Sequence, residues 1–115
     1  MEKPWGYELI WARTDRYAGK VLHVEGGHQL SFQYHERKDE TICLLRGLLE
    51  LEVAAPDGPL HVVRLTPGES FHIPAGLRHR LRALETSDIL EASSPELTDL
   101  VRLEDAYGRE GSSTA

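Results

Sequence analysis

Six histidines stand at positions 23, 28, 35, 61, 72 and 79 of this 115-residue chain, and two of them lie among residues of metal-binding type. In Ser31-Phe32-Gln33-Tyr34-His35 a strand turns residues 31, 33 and 35 to one face. Gln33 and His35 then project together, about 7 Å apart along the strand, which suits two ligands of one ion. After the turn Glu36-Arg37-Lys38-Asp39 the chain resumes at Glu40, with the apolar Ile42 and Leu44 on the same face. A carboxylate on an interior face is costly unless it is paired or bound to metal. Further on, Phe71 and Ile73 alternate with His72, Pro74-Ala75-Gly76 makes a tight turn, and His79 shares a face with Leu81. A histidine beside a leucine is ordinarily a satisfied core side chain. Taken with Gln33, His35 and Glu40, it reads as the last member of a set.

Those residues need strands to position them, and the chain supplies the pattern. Short apolar runs at 7–11, 19–24, 29–34, 40–45, 48–54, 60–65, 70–73, 79–83 and 89–93 are separated by turn residues such as Gly26-Gly27, Arg46-Gly47, Pro56-Asp57-Gly58-Pro59 and Pro67-Gly68. Strands recurring every 8–12 residues or so predict an all-β sandwich or barrel. Only 98–107, after Ser94-Pro95, reads as a short helix, and the small polar tail 110–115 is expected to fray. The length fits one domain, over 1–109.

Two stretches in this framework resemble the paired motifs of the cupin superfamily. Gly27-x5-Gln33-x-His35-x4-Glu40-x6-Gly47 is similar to the first, with Gln in place of its first His. Gly68-x5-Pro74-x-Gly76-x2-His79 is similar to the second, with Ala83 where Asn is expected. The resemblance implies a double-stranded antiparallel β-helix, a jelly-roll-like barrel, holding one divalent ion on Gln33, His35, Glu40 and His79. Lys3-Pro4-Trp5-Gly6, Leu30-Ser31-Phe32-Gln33-Tyr34-His35 and Asp99-x-Val101-Arg102-x-Glu104-Asp105-x-Tyr107-Gly108-Arg109 extend it. Together they resemble the C-terminal domain of type II mannose-6-phosphate isomerases, which are often fused to a mannose-1-phosphate guanylyltransferase. No guanylyltransferase portion is present in this sequence, and the segment 92–97 departs from the fused enzymes.

This resemblance implies a metal-dependent isomerase interconverting mannose 6-phosphate and fructose 6-phosphate or a close analogue. Zinc is the first expectation for the ion, since a Gln, a Glu and two His resemble the zinc set of the type I isomerases. Manganese, nickel and iron suit the same donors. Such a reaction needs a base. Lys20 shares a face with Leu22 and Val24, which puts it at the barrel mouth, where burial could lower its pKa usefully. Arg78 and Arg80 flank His79, and with Arg102 and Arg109 they are candidates to hold a phosphate. The rival readings are a dioxygenase-type cupin enzyme and a non-catalytic sugar- or metabolite-binding cupin.

The remaining candidates read as ordinary structure. His23, His28, His61 and His72 fall in turns or on outward positions, Glu50 and Glu52 form a solvated face, and Trp5 and Trp11 read as core. Cys43, the lone cysteine, reads as a small apolar side chain, and no internal disulfide can form. Thirteen basic against nineteen acidic residues give a formal net charge of −6, which disfavours nucleic acid. No run approaches the ~20 apolar residues of a membrane span, and the N-terminus lacks an apolar signal region. A cytoplasmic location is therefore expected, and the family resemblance implies a homodimer acting on a small sugar phosphate.

Overall fold

A computed structural model describes residues 1–96 and 98–108, and 111–113 by backbone alone. It contains ten strands and, among the described residues, no helix: β1 (Glu2–Lys3), β2 (Gly6–Arg13), β3 (Ala18–Val24), β4 (Phe32–Tyr34), β5 (Glu40–Ala54), β6 (His61–Leu65), β7 (Ser70–Ile73), β8 (Arg78–Ser93), β9 (Leu100–Glu104) and β10 (Gly111–Ser113). The expected runs at 40–45 and 48–54 are one strand, as are those at 79–83 and 89–93. β5 and β8 pair with each other along nearly their whole lengths and form the spine of a curled antiparallel sheet. Around it the order runs β1-β2-β3-β8-β4-β9-β10, while β6 and β7 join the two ends of β5.

The Arg46-Gly47 pair reads as a turn from sequence because the apolar positions change parity there. Glu40, Ile42 and Leu44 point inward before it, and Leu49, Leu51 and Val53 after it. An extra residue in one strand has the same effect: pairing with β8 shifts between Leu44 and Leu49, the signature of a bulge. Gly47 has φ 105°, and a Cβ there would lie 2.4 Å from Ser87 Oγ. Only glycine lets the kinked strand pass so close.

Alternation then fills the barrel. Leu22, Val24, Ile42, Leu44, Leu49, Leu51, Ile73, Leu81, Ala83 and Ile89 form one buried cluster, closed by Trp5. Burying each large side chain contributes about 1.5–3 kcal/mol, which offsets the cost of the charges buried beside them.

Two expectations fail here. The segment 98–107 contains strand β9, Leu100–Glu104, and no helix: β4 pairs β8 only at Gln33–His79, and β9 pairs it at Phe32, Gln33 and Tyr34. Leu100 and Arg102 face in and Leu103 faces out, a period-2 pattern that competes with the helical one in so short a segment. Trp11 is not core; it is 65% exposed, with its ring laid over Gly19. The tail, expected to fray, contributes Gly111–Ser113 as a strand paired with β9, while residues 110, 114 and 115 lie outside the described residues.

Candidate metal centre

Three strand positions converge inside the barrel. His35 follows β4, Glu40 opens β5 and His79 lies near the start of β8, all three buried. The turn Pro74-Ala75-Gly76 locks the two halves together, because Gly76 N–H donates to the His35 carbonyl at 2.7 Å. Gly76 adopts φ 86°, which side chains other than glycine's rarely tolerate.

Hydrogen bonding fixes the state of both imidazoles. His35 Nδ1 lies 2.6 Å from the Asp99 carbonyl and His79 Nδ1 lies 2.9 Å from the Leu77 carbonyl. A carbonyl only accepts, so each Nδ1 carries the hydrogen and, in a neutral ring, each Nε2 presents a lone pair. Both Nε2 atoms lie 3.4 Å from the same oxygen, Glu40 Oε1. Two ligands each about 2.0–2.1 Å from a shared ion at a tetrahedral angle would stand about 3.3–3.4 Å apart. His35 Nε2 is buried without a hydrogen-bond partner among the described residues, and Glu40 Oε1 faces both imidazoles. Acceptors meeting acceptors in a dry interior call for a cation, and the three residues fit a divalent one.

Gln33 is the fourth expected ligand. It is directly opposite His79 across β4 and β8, so the two side chains share a face, and it lines the cavity above the cluster. Its Oε1 accepts a hydrogen bond from Ser31 Oγ, which leaves the oxygen a second lone pair.

The cavity of about 60 Å³ carries more charge than its surroundings. Lys38 Nζ lies 3.2 Å from Glu40 and 3.0 Å from Glu91, and Lys20 Nζ lies 2.6 Å from Glu8 and 3.9 Å from Glu91. Acid and ammonium thus alternate from Glu40 through Lys38, Glu91 and Lys20 to Glu8. Burial acts to raise the Glu40 carboxyl, but the His35 and His79 rings, which donate to it only when Nε2 carries a proton in place of an ion, and the charge of Lys38 hold it well below the usual carboxylate range. Burial, and then repulsion from Glu40, push Glu91 up to about 7 against the pull of Lys38 and Lys20. Burial disfavours the Lys38 ammonium, but Glu91 and Glu40 outweigh it and raise its pKa.

Lys20 therefore faces the cavity as its alternation implies, held between two carboxylates. Arg78 and Arg80 do not: strand alternation turns them to the far side of β8, where they line a separate groove with Phe32 and Glu104. Arg80 packs over the Phe32 ring and pairs with Glu104 at 3.3 Å. Arg109 lies outside the described residues, whereas Arg102 lines the cavity. The other histidines are engaged elsewhere: His28 with Tyr107, His72 with Asp39 and His23 with Asp88, while His61 is exposed.

Lys38, Glu91, Glu8 and Asp99 were not singled out from sequence. Glu91 shares a face with Ile89 and Ser93, and the alternation that found Glu40 would have found it. Lys38 sits in a turn, where no periodicity operates. Asp99 holds that turn, its carboxylate accepting from the N–H groups of Glu36, Arg37 and Lys38 at 3.0, 2.6 and 2.9 Å. Burial raises its carboxyl pKa, but those donors more than offset it and the pKa is lowered.

The chain is similar to several known proteins. The family described as "Cupin domain" matches residues 20–92. A xanthan biosynthesis protein, XanB, of Xanthomonas campestris is 34% identical over 113 residues, covering 93% of this chain and 23% of that protein. A mannose-1-phosphate guanylyltransferase of Escherichia coli K12 is also 34% identical, over 93% of this chain and 22% of its own length. The chain thus spans under a quarter of these two curated relatives. Among solved structures, KdgF from a Halomonas species superposes with a TM-score of 0.70 at 28% identity, covering 81% of this chain and 82% of that one.

Proposed function

This chain belongs to the cupin domain family, and we propose that it is a metal-dependent aldose–ketose isomerase acting on a sugar phosphate, mannose 6-phosphate or a close analogue. The observation that carries the reading is the convergence of two carbonyl-locked imidazoles and Glu40 beneath a row of buried lysine–carboxylate pairs. The names of the two relatives, xanthan biosynthesis and mannose-1-phosphate guanylyltransferase, support a sugar-phosphate context.

Isomerisation removes a proton from one carbon and returns it to the neighbour, while the oxygens on the two carbons exchange another. His35, Glu40, His79 and Gln33 would hold a divalent ion, with zinc as the first candidate, which when bound would polarise such oxygens and contribute several kcal/mol at the transition state. Gln33 adds an oxygen without adding charge, so the site stays more cationic than a second carboxylate would leave it. In our reading Lys20, fixed by Glu8 and facing the same cavity, handles the proton. The apolar ring formed by Trp5, Leu22, Leu30 and Leu100 limits water around it.

The test is elemental analysis of protein purified without added metal, followed by an assay for fructose 6-phosphate formed from mannose 6-phosphate. Turnover lost on chelation and in His35→Ala supports the reading. Fully metallated protein without turnover on either sugar overturns it, and oxygen uptake by iron-loaded protein would assign a dioxygenase-type activity instead.

A further inference from the structure

We propose that Arg102, with Lys3 lining the same cavity, receives the oxyanion end of the substrate. The inference rests on the sugar-phosphate reading and names the group that anchors it.

Register places Arg102 in the row of the metal ligands. It lies directly opposite Gln33 across β9 and β4, and Gln33 lies directly opposite His79 across β4 and β8. Directly opposed residues project to the same face with Cβ atoms about 4.5–5.5 Å apart. Arg102 is therefore two strand spacings, on the order of 10 Å, from the histidine. Its side chain is 8% exposed and lines the cavity. A hexose phosphate has that reach, with its carbonyl end at the metal and its phosphate at the arginine.

Charge in the cavity points to an anion. Lys3, Lys20, Lys38 and Arg102 line it against three carboxylates, Glu8, Glu40 and Glu91. With a divalent ion bound, the excess is positive, inside a chain whose net charge is −6. Such a focus draws anions specifically to this mouth. Lys20 and Lys38 are committed to carboxylates at 2.6 and 3.0 Å, whereas Lys3 makes only a 3.6 Å contact with Glu8. An arginine fork suits two phosphate oxygens at once.

The experiment titrates inorganic phosphate into metal-loaded protein by calorimetry, comparing wild type with Arg102→Met, Arg102→Lys, Lys3→Met and, on the outer face, Arg64→Met. We expect Arg102→Met to weaken phosphate binding at least tenfold, Arg102→Lys and Lys3→Met about threefold to tenfold, and Arg64→Met not at all. For mannose 6-phosphate, KM should rise with those losses while kcat changes less than threefold. Lys3→Met and Arg102→Lys keep the proposal testable if Arg102→Met does not fold. A folded, metal-replete Arg102→Met that binds phosphate as wild type does would overturn it, as would wild type that binds no phosphate. Phosphate binding that depends on Arg102, without isomerase turnover, would keep the anion site and sink the isomerase. Turnover with KM unchanged in Arg102→Met would do the reverse.

Discussion

Two carboxylates in this barrel are almost equally buried and both meet histidine, yet they are built for different ends. Glu40 is 4% exposed with His35 and His79 at 3.4 Å; Asp88 is 5% exposed with His23 at 2.6 Å. At Glu40 each imidazole spends its Nδ1 hydrogen on a backbone carbonyl, so only lone pairs are left to face the carboxylate. At Asp88 the His23 Nδ1 faces the carboxylate directly and Nε2 faces Glu25 at 3.3 Å, so the surroundings favour the charged form of the ring. Arg46 completes the second cluster with Nε at 2.8 Å and Nη2 at 2.6 Å from Asp88. Both places set a buried carboxylate against histidine, although the partners of Asp88 are the more exposed. What decides between a metal centre and an ion pair is which partner the far ring nitrogen has already taken.

The sharpest way to break the comparison is Glu40→Gln. It removes the one anionic donor from the centre, and we expect metal affinity to fall at least about 100-fold, more than the 10–100-fold typical of losing a supporting group. Metal content after dialysis, measured by elemental analysis, checks this. Retention of a full equivalent would mean that the ion is not held by Glu40, and wild type without metal would mean that the site is an ion-pair cluster like the one at Asp88. Asp99→Ala tests the supporting layer. The His35 carbonyl partner stays, but the three N–H groups of residues 36–38 lose their acceptor. We expect metal affinity to drop roughly 10-fold to 100-fold through a loosened turn.

Asp88→Asn should do the opposite. The outer cluster loses its charge, and unfolding free energy should fall by about 1–3 kcal/mol, since charged partners are left without a counter-ion. At this chain length that is a drop of roughly 4–12 °C in Tm. Metal content should not change, because no residue of the centre touches Asp88's partners. A variant that loses metal along with stability would show that the two clusters are coupled through β8.

The difference between the clusters also marks how far sequence could reach. Strand alternation places Gln33 with His35, Glu40 with Ile42 and His79 with Leu81, because burial on one face leaves a period-2 trace. The same rule turns Arg78 and Arg80, the neighbours of His79, away from the ligand face and into the groove they share with Phe32 and Glu104. The bulge at Gly47 and the strand at 100–104 were hidden for another reason. One depends on close approach to Ser87 and the other on pairing with β4, and both partners are distant in sequence. Lys38 was hidden because turns carry no period. No reading of residue types could show which imidazole nitrogens are occupied, since the carbonyls of Asp99 and Leu77 that occupy them are backbone.

The smallest effect concerns pH and belongs to the outer cluster alone. The hydrogen bond to Asp88 is the largest cause acting on His23 and raises its pKa, with burial opposing and the charges of Asp88 and Glu25 adding. Burial raises the Asp88 carboxyl, but hydrogen bonds from His23 and Arg46 outweigh it and the pKa is lowered. A group whose folded pKa is raised contributes stability that is complete below its unfolded value, about 6.5 for histidine, and is lost as pH rises through the folded value. A carboxylate with a lowered pKa contributes above its unfolded value, about 3.9, and loses that contribution as pH falls through the folded one. The pair therefore stabilises most between about pH 4 and 6.5. His23→Gln removes the titrating partner while keeping a side-chain donor. With the His23 side chain 21% exposed, we expect a Tm deficit of only about 2–4 °C at pH 6, shrinking as pH rises through 8. A deficit of the same size at both pH values would mean that His23 acts through its stacking on the Tyr7 ring, 4.8 Å away, and not through its charge.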